Sequence, residues 1–255
     1  MANERACEPM IAIRGLHKSF GDHRVLTGVD LSVAEGSTTV ILGGSGSGKT
    51  VLMKHIIGLL RPDLGEVWIE GENIAALDGR ALDEVRRKFG MVFQASALFD
   101  SMTVFENVAF PLREHTRASE EQIARVVHEK LDVVGLREVD GKYPAELSGG
   151  MRKRVGLARA IALEPKIVLY DEPTTGLDPI TTDYVDEMIL EAKKKLGVTS
   201  VVISHDVGSA MHIADRIAFL HEGQICAEGP PAELRSSGHP AVTRFLSTWL
   251  EKGRA

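Results

Sequence analysis

The chain has 255 residues, 44% of them hydrophobic and 26% charged, with a formal net charge of -6; this is a globular composition long enough to bury a core without crosslinks. The acidic balance argues against a general nucleic-acid binder, and two cysteines, Cys7 and Cys226, give no disulfide framework. No apolar run approaches the ~18 residues of a membrane span, and Met1-Ala2-Asn3-Glu4 lacks the basic and apolar regions of a signal peptide, so a membrane role has to come through a partner.

Met10 to Ile13 and Val25 to Val33 read as early strands, with a turn at Gly21-Asp22-His23. Thr38-Thr39-Val40-Ile41-Leu42 is a short β-branched run that delivers the chain to Gly43-Gly44-Ser45-Gly46-Ser47-Gly48-Lys49-Thr50. Val51, Leu52, His55, Ile56 and Leu59 then recur at helical spacing. Strand, G-x-x-x-x-G-K-[ST] and helix together make a phosphate-binding loop. Its glycines permit tight turns and close approach, and its backbone N–H groups and helix N-terminus face the anion. Lys49 reaches the β- and γ-phosphates and the Thr50 hydroxyl joins a Mg²⁺ shell.

Between Gln94 and Pro165 the texture turns helical, as an insertion between strands. Ser119-x-x-Gln122 is a capping box that opens a helix through about Val134. Gly149 to Leu163 predicts another helix, opened by Leu147-Ser148-Gly149-Gly150, a second glycine pair suited to an anion. Within it Arg152-Lys153-Arg154 reads as a solvated face.

Ile167-Val168-Leu169-Tyr170 is a continuous apolar run, as in the middle of a parallel sheet, and Val201-Val202-Ile203 is another. The first ends in Asp171-Glu172. Carboxylates at the mouth of a buried strand want a cation or a reacting water, which puts Asp171 in the Mg²⁺ shell and Glu172 on the attacking water. The second run leads to His205, at the strand edge where α/β sheets bind ligands and within reach of a γ-phosphate. Val242, Phe245, Leu246, Trp249 and Leu250 have the spacing of an amphipathic helix that packs on its own domain, with docking on a second copy or another partner as the alternative.

Over essentially its whole length the chain resembles the nucleotide-binding subunit of ATP-binding cassette (ABC) transporters. Gly43 to Thr50 matches the Walker A loop and Leu169-Tyr170-Asp171-Glu172 the Walker B strand with its catalytic glutamate. Leu147-Ser148-Gly149-Gly150-Met151 looks like the family signature, with Met151 where glutamine is common. Gly176-Leu177-Asp178 is similar to the D-loop, Gln94 to the Q-loop glutamine, His205 to the switch histidine, and Phe20 to the aromatic that stacks on adenine. The resemblance implies an α/β P-loop NTPase of the ABC type, with a mainly parallel core sheet, an N-terminal antiparallel β portion and an inserted helical subdomain. It would be one domain: a core of about 1–93 and 165–235, the helical subdomain of about 94–164, and a helical tail of about 238–252. It also implies a head-to-tail dimer that holds ATP and Mg²⁺ between one copy's Walker A loop and the other's Ser148, Gly149 and Gly150. Asp178 would border the nucleotide, and Gln94 would serve the metal and the reaction.

Phe93 to Thr116 and Leu147 to Val155, Met151 included, look like the Mce/Mla-type ATPases, which move phospholipids between membranes. That likeness implies a permease, an Mce-domain lipid-binding protein and a small regulatory subunit as partners, at the cytoplasmic side of the inner membrane. Phe99, Met102, Phe105 and Phe110 could line a groove for a permease helix or form the subdomain's own core. A polar-solute importer is the alternative cargo reading. A soluble ABC protein of translation or DNA repair commonly has two cassettes or long insertions, which this chain lacks. A P-loop kinase or GTPase leaves Leu147 to Met151 unexplained.

Overall fold

The computed structural model describes residues 8–252; Cys7 and Met1-Ala2-Asn3-Glu4 lie outside the described residues, as does the side chain of Leu250. In chain order the elements are β1 (Ile11–Phe20), β2 (His23–Val33), β3 (Thr38–Leu42), α1 (Lys49–Ile56), β4 (Leu64–Ile69), β5 (Glu72–Asn73) and α2 (Gly79–Arg86). Then come β6 (Phe89–Val92), α3 (Val104–His115), α4 (Glu120–Val133), α5 (Gly149–Ala160), β7 (Ile167–Asp171), α6 (Pro179–Leu196), β8 (Thr199–Ser204) and α7 (Val207–Ile213). The chain closes with β9 (Arg216–His221), β10 (Gln224–Gly229), α8 (Pro231–Arg235) and α9 (Pro240–Lys252). Two compact units result: one holds the described residues up to Arg86 and from Ala214 on, the other Arg87–Ile213.

In the first unit β1 pairs antiparallel with β2 and β4, and β5 joins β4. The β1–β2 hairpin closes with Phe20 opposite His23. Apart from these, β3 runs parallel to β9, with Thr39 opposite Arg216 and Leu42 opposite Phe219, and β10 returns antiparallel on β9. All five residues of β3 are buried, as a strand covered on both faces requires. The tail helix α9 packs within this unit, its Phe245 ring edge-on to Phe219 at 5.1 Å, as the amphipathic spacing predicts.

In the second unit β6, β7 and β8 are parallel neighbours, with Phe89 opposite Ile167 and Ile167 opposite Thr199. Residues Ile167 to Tyr170 and all of β8 are buried. The chain between β6 and β7 is helical, with α3, α4 and α5 packed on one another. Thr103 with Glu106 forms a capping box at α3, and Ser119 with Gln122 forms the expected one at α4. Helix α5 begins at Gly149 as expected but ends at Ala160, short of Leu163. There the chain turns through Glu164 at φ 53, which brings its carboxylate to 2.9 Å from the buried Lys130 ammonium. No helix among the described residues is long and apolar enough to cross a membrane.

Candidate nucleotide site

The phosphate loop leaves the buried end of β3 and enters α1, as its sequence requires. Only glycine fits at its first position: a Cβ on Gly43 would sit 2.4 Å from the Leu220 carbonyl oxygen. Gly48 precedes α1 at φ 104, and no side chain caps that helix, so its first N–H groups have a polar task left for an anion. The buried Lys49 ammonium spans the loop and donates to the carbonyls of Gly43 and Gly44, each at 2.9 Å. The Ser47 hydroxyl is buried without a hydrogen-bond partner, while Ser45, Gly46 and Thr50 are exposed. A cradle that excludes side chains, an uncapped helix start and a buried cation fit a nucleotide phosphate. In the same unit Phe20 ends β1 half exposed rather than in the core, with the Lys18 ammonium 5.7 Å from its ring centroid.

The second unit gathers the reactive side chains at the carboxyl ends of its three parallel strands. Val92 lies opposite Tyr170, and Asp171 opposite Ile203. The next residues of each strand therefore emerge at one edge: Gln94 after β6, Asp171-Glu172 at the end of β7 and His205 after β8. Glu172 holds a left-handed backbone at φ 50, uncommon for a residue with a Cβ. Its amide donates to the Ile203 carbonyl at 3.0 Å. The carboxylate Oε2 receives the Thr175 hydroxyl at 2.8 Å and lies 2.5 Å from His205 Nδ1. A carboxylate only accepts, so Nδ1 carries the proton in this pair. Gln94 lies exposed in the turn closed by the Ser96 amide on the Phe93 carbonyl at 2.9 Å.

The signature and the D-loop share one cleft of about 740 Å³ in this unit, lined by Ser148, Gly149, Gly150, Asp178 and Thr181 among others. Ser148 is the N-cap of α5, its Oγ accepting from the Met151 amide at 3.2 Å. Asp178 caps α6, accepting from the Thr181 amide at 3.0 Å and hydroxyl at 2.5 Å. Those bonds hold its carboxyl below the usual range.

Among the described residues no group of three His, Cys, Asp or Glu is placed to hold a metal ion. Gln94 and Asp171 of this unit carry hard oxygen donors, the kind Mg²⁺ takes alongside phosphate and water.

Lys153 is not part of a solvated face: it is 7% exposed and its ammonium donates to the Pro173 carbonyl, one residue past Glu172. Burial pulls its pKa down. Thr175 is a further residue of the site: its hydroxyl, three residues after Glu172, donates to that carboxylate, a spacing visible in the sequence.

The ABC transporter family profile matches residues 26–175. The phospholipid transport ATP-binding protein MlaF of Escherichia coli is 42% identical over 243 residues, 95% of this chain and 90% of that protein. Its Haemophilus influenzae counterpart is 43% identical over 237 residues, 93% and 90% of the two chains. A probable ribonucleotide transport ATP-binding protein, Mkl of Mycobacterium leprae, is 44% identical over 93% of this chain and 68% of that protein. Among solved structures, a dimeric ATP-binding cassette in a post-hydrolysis state with ADP and Pi superposes with a TM-score of 0.78 at 34% identity, covering 87% of this chain and 99% of the other. CbiO1 of Clostridium perfringens, part of an ABC transporter complex, gives 0.83 at 28% identity over 96% and 97%. The phosphate loop, the Glu172–His205 pair and the signature-capped helix thus sit in a chain that is alike throughout, and the chain belongs to the ABC transporter ATP-binding family.

Proposed function

We propose that this ATPase drives phospholipid transport through a membrane permease. The observation that carries the cargo is the 42–43% identity, over 93–95% of this chain, to relatives named for intermembrane phospholipid transport.

In the proposed reaction Lys49 turns from the Gly43 and Gly44 carbonyls to the β- and γ-phosphates, and Gly43, Gly44, Ser45, Gly46, Ser47 and Gly48 wrap them. Phe20 stacks on adenine. Glu172 polarises the water that attacks the γ-phosphorus as the bond to the β-phosphate oxygen breaks, and His205 stabilises charge on the transferred group. Thr50, Gln94 and Asp171 would hold Mg²⁺, which neutralises phosphate charge when bound. A second copy, head to tail, supplies Ser148, Gly149, Gly150 and Asp178; that solved relatives are dimeric supports the pairing of two copies. The permease docks on the exposed aromatics Phe93 and Phe99, the latter tilted against Phe110 with ring centroids 4.9 Å apart, with Met102 and Phe105 nearby in sequence. That contact holds the chain at the cytoplasmic side of the inner membrane. An Mce-domain lipid-binding protein and a small regulatory subunit complete the assembly.

Purification from the native cell in mild detergent tests the cargo. A multi-helix permease with an Mce-domain protein and bound phospholipid is the expected result. An amino-acid-type permease with a soluble binding protein would replace it with the polar-solute reading.

A further inference from the structure

The turn that carries Gln94 is strained. Ser96 and Ala97, neither a glycine, hold consecutive left-handed conformations at φ 61 and φ 45, a region that a Cβ disfavours. Such a turn persists only if its surroundings over-determine it.

Helix α5 supplies the restraint. The Arg159 guanidinium donates to the Ser96 carbonyl at 2.9 Å and to the Ala97 carbonyl at 2.7 Å, so one planar fork grips both strained residues. The same guanidinium lies 5.8 Å from the Phe99 ring centroid, within cation–π range. One turn earlier, Gly156 packs against Ser96, whose Cβ and carbonyl oxygen lie at van der Waals distance, 3.4 Å, from where a Cβ on the glycine would stand. On the other side Gly90 of β6 admits the Ala160 carbonyl so closely that a Cβ would sit 2.4 Å from it. Helix and strand are thus locked within a residue of Arg159, and the loop that leaves the strand is locked to the helix.

We infer that Arg159 is a positioning residue for Gln94, fixing the Phe93–Ala97 turn to the helix that Ser148 opens. This rests on the proposed role of Gln94 at the metal and reaction. A lysine cannot replace the fork, because a point charge does not hold two carbonyls in a plane.

The test uses the full-length chain. Arg159→Gln is expected to raise the Mg²⁺ concentration for half-maximal hydrolysis and to lower kcat, each about tenfold, while KM for ATP at saturating Mg²⁺ stays within about twofold. Arg159→Lys is expected to behave like the glutamine variant. Without nucleotide, Arg159→Gln is expected to speed hydrogen exchange at the Ser96 amide. Adding Ala97→Asn should restore part of both losses, since asparagine adopts the left-handed region more readily than alanine. Gln94→Ala is the reference. If it hydrolyses normally, the role of Gln94 fails and the inference falls with it. If it is impaired, the Gln94→Ala/Arg159→Gln double variant should be no slower than Gln94→Ala alone. Multiplied losses in the double variant would overturn Arg159's role while leaving Gln94's intact. So would early thermal unfolding of Arg159→Gln with an unchanged Mg²⁺ requirement, which marks a purely structural residue.

Discussion

His205 Nδ1 and the Thr175 hydroxyl converge on one oxygen of Glu172, at 2.5 and 2.8 Å. One donor comes from the residue after β8, the other from the glutamate's own turn, so the carboxylate is aimed from two directions. Glu172→Gln keeps the shape and loses the base. Its kcat is expected to fall about 10³-fold, with ATP affinity retained and a stable ATP-bound dimer in gel filtration; a fully active monomer would exclude the assignment. Thr175→Val removes one aiming bond and is expected to lower kcat about tenfold without raising KM.

Lys49 is buried and bonded to two loop carbonyls, so it orders the loop, and in the proposed reaction it also meets phosphate. Lys49→Ala is expected to weaken ATP binding at least about a hundredfold, since two charge-assisted contacts are lost. Equilibrium titration with a fluorescent ATP analogue measures it, and unchanged affinity would remove the phosphate-loop reading.

Gly43→Ala places a methyl 2.4 Å from the Leu220 carbonyl oxygen, a backbone atom that cannot swing aside. The expected cost is about 1–3 kcal/mol of stability, with loss of nucleotide binding as the loop shifts. Urea unfolding monitored by tryptophan fluorescence and the same titration read both.

Asp186 on α6 is 2% exposed and receives the Ser209 hydroxyl from α7. Burial pushes its carboxyl up from 3.8 to about 6, with the Ser209 bond opposing. The folded chain therefore keeps a proton that the unfolded chain gives up, and the stability this contributes is full below pH 3.8 and lost as pH rises through about 6. Asp186→Asn is expected to stabilise by about 1–3 kcal/mol at pH 8 and to change nothing at pH 3.5. Equal shifts at both values would rule out this carboxyl.

Local signals were legible where the physics is local. Thr38–Leu42 is readable to the residue because its β-branched and apolar residues run unbroken into the glycine loop. The Ser119–Gln122 box marked α4 because the cap and its partner lie three residues apart. Strand β1 is legible only at its start, since beyond Ile13 its pairing with β2 shifts register between Ile13 and Leu16, Leu16 and His17, and Lys18 and Ser19. Glu172 and His205 were each placed by a strand end, but their contact spans 33 positions and depends on β7 and β8 being neighbours. Lys153 and Arg159 were opaque for the same reason: both reach backbone carbonyls far away in sequence, and a carbonyl carries no residue type to recognise.

In the proposed dimer Ser148 divides one hydroxyl between two tasks. Its oxygen lone pair closes the first turn of α5 on the Met151 amide, and its proton is what remains to offer a phosphate. Aspartate, as good a helix cap, would keep the first task and turn the second into repulsion. The helix alone would accept either residue; only the anion distinguishes them. Met151 likewise meets the cap through its main chain, which is why a side chain so unlike glutamine can stand there without unsettling the turn.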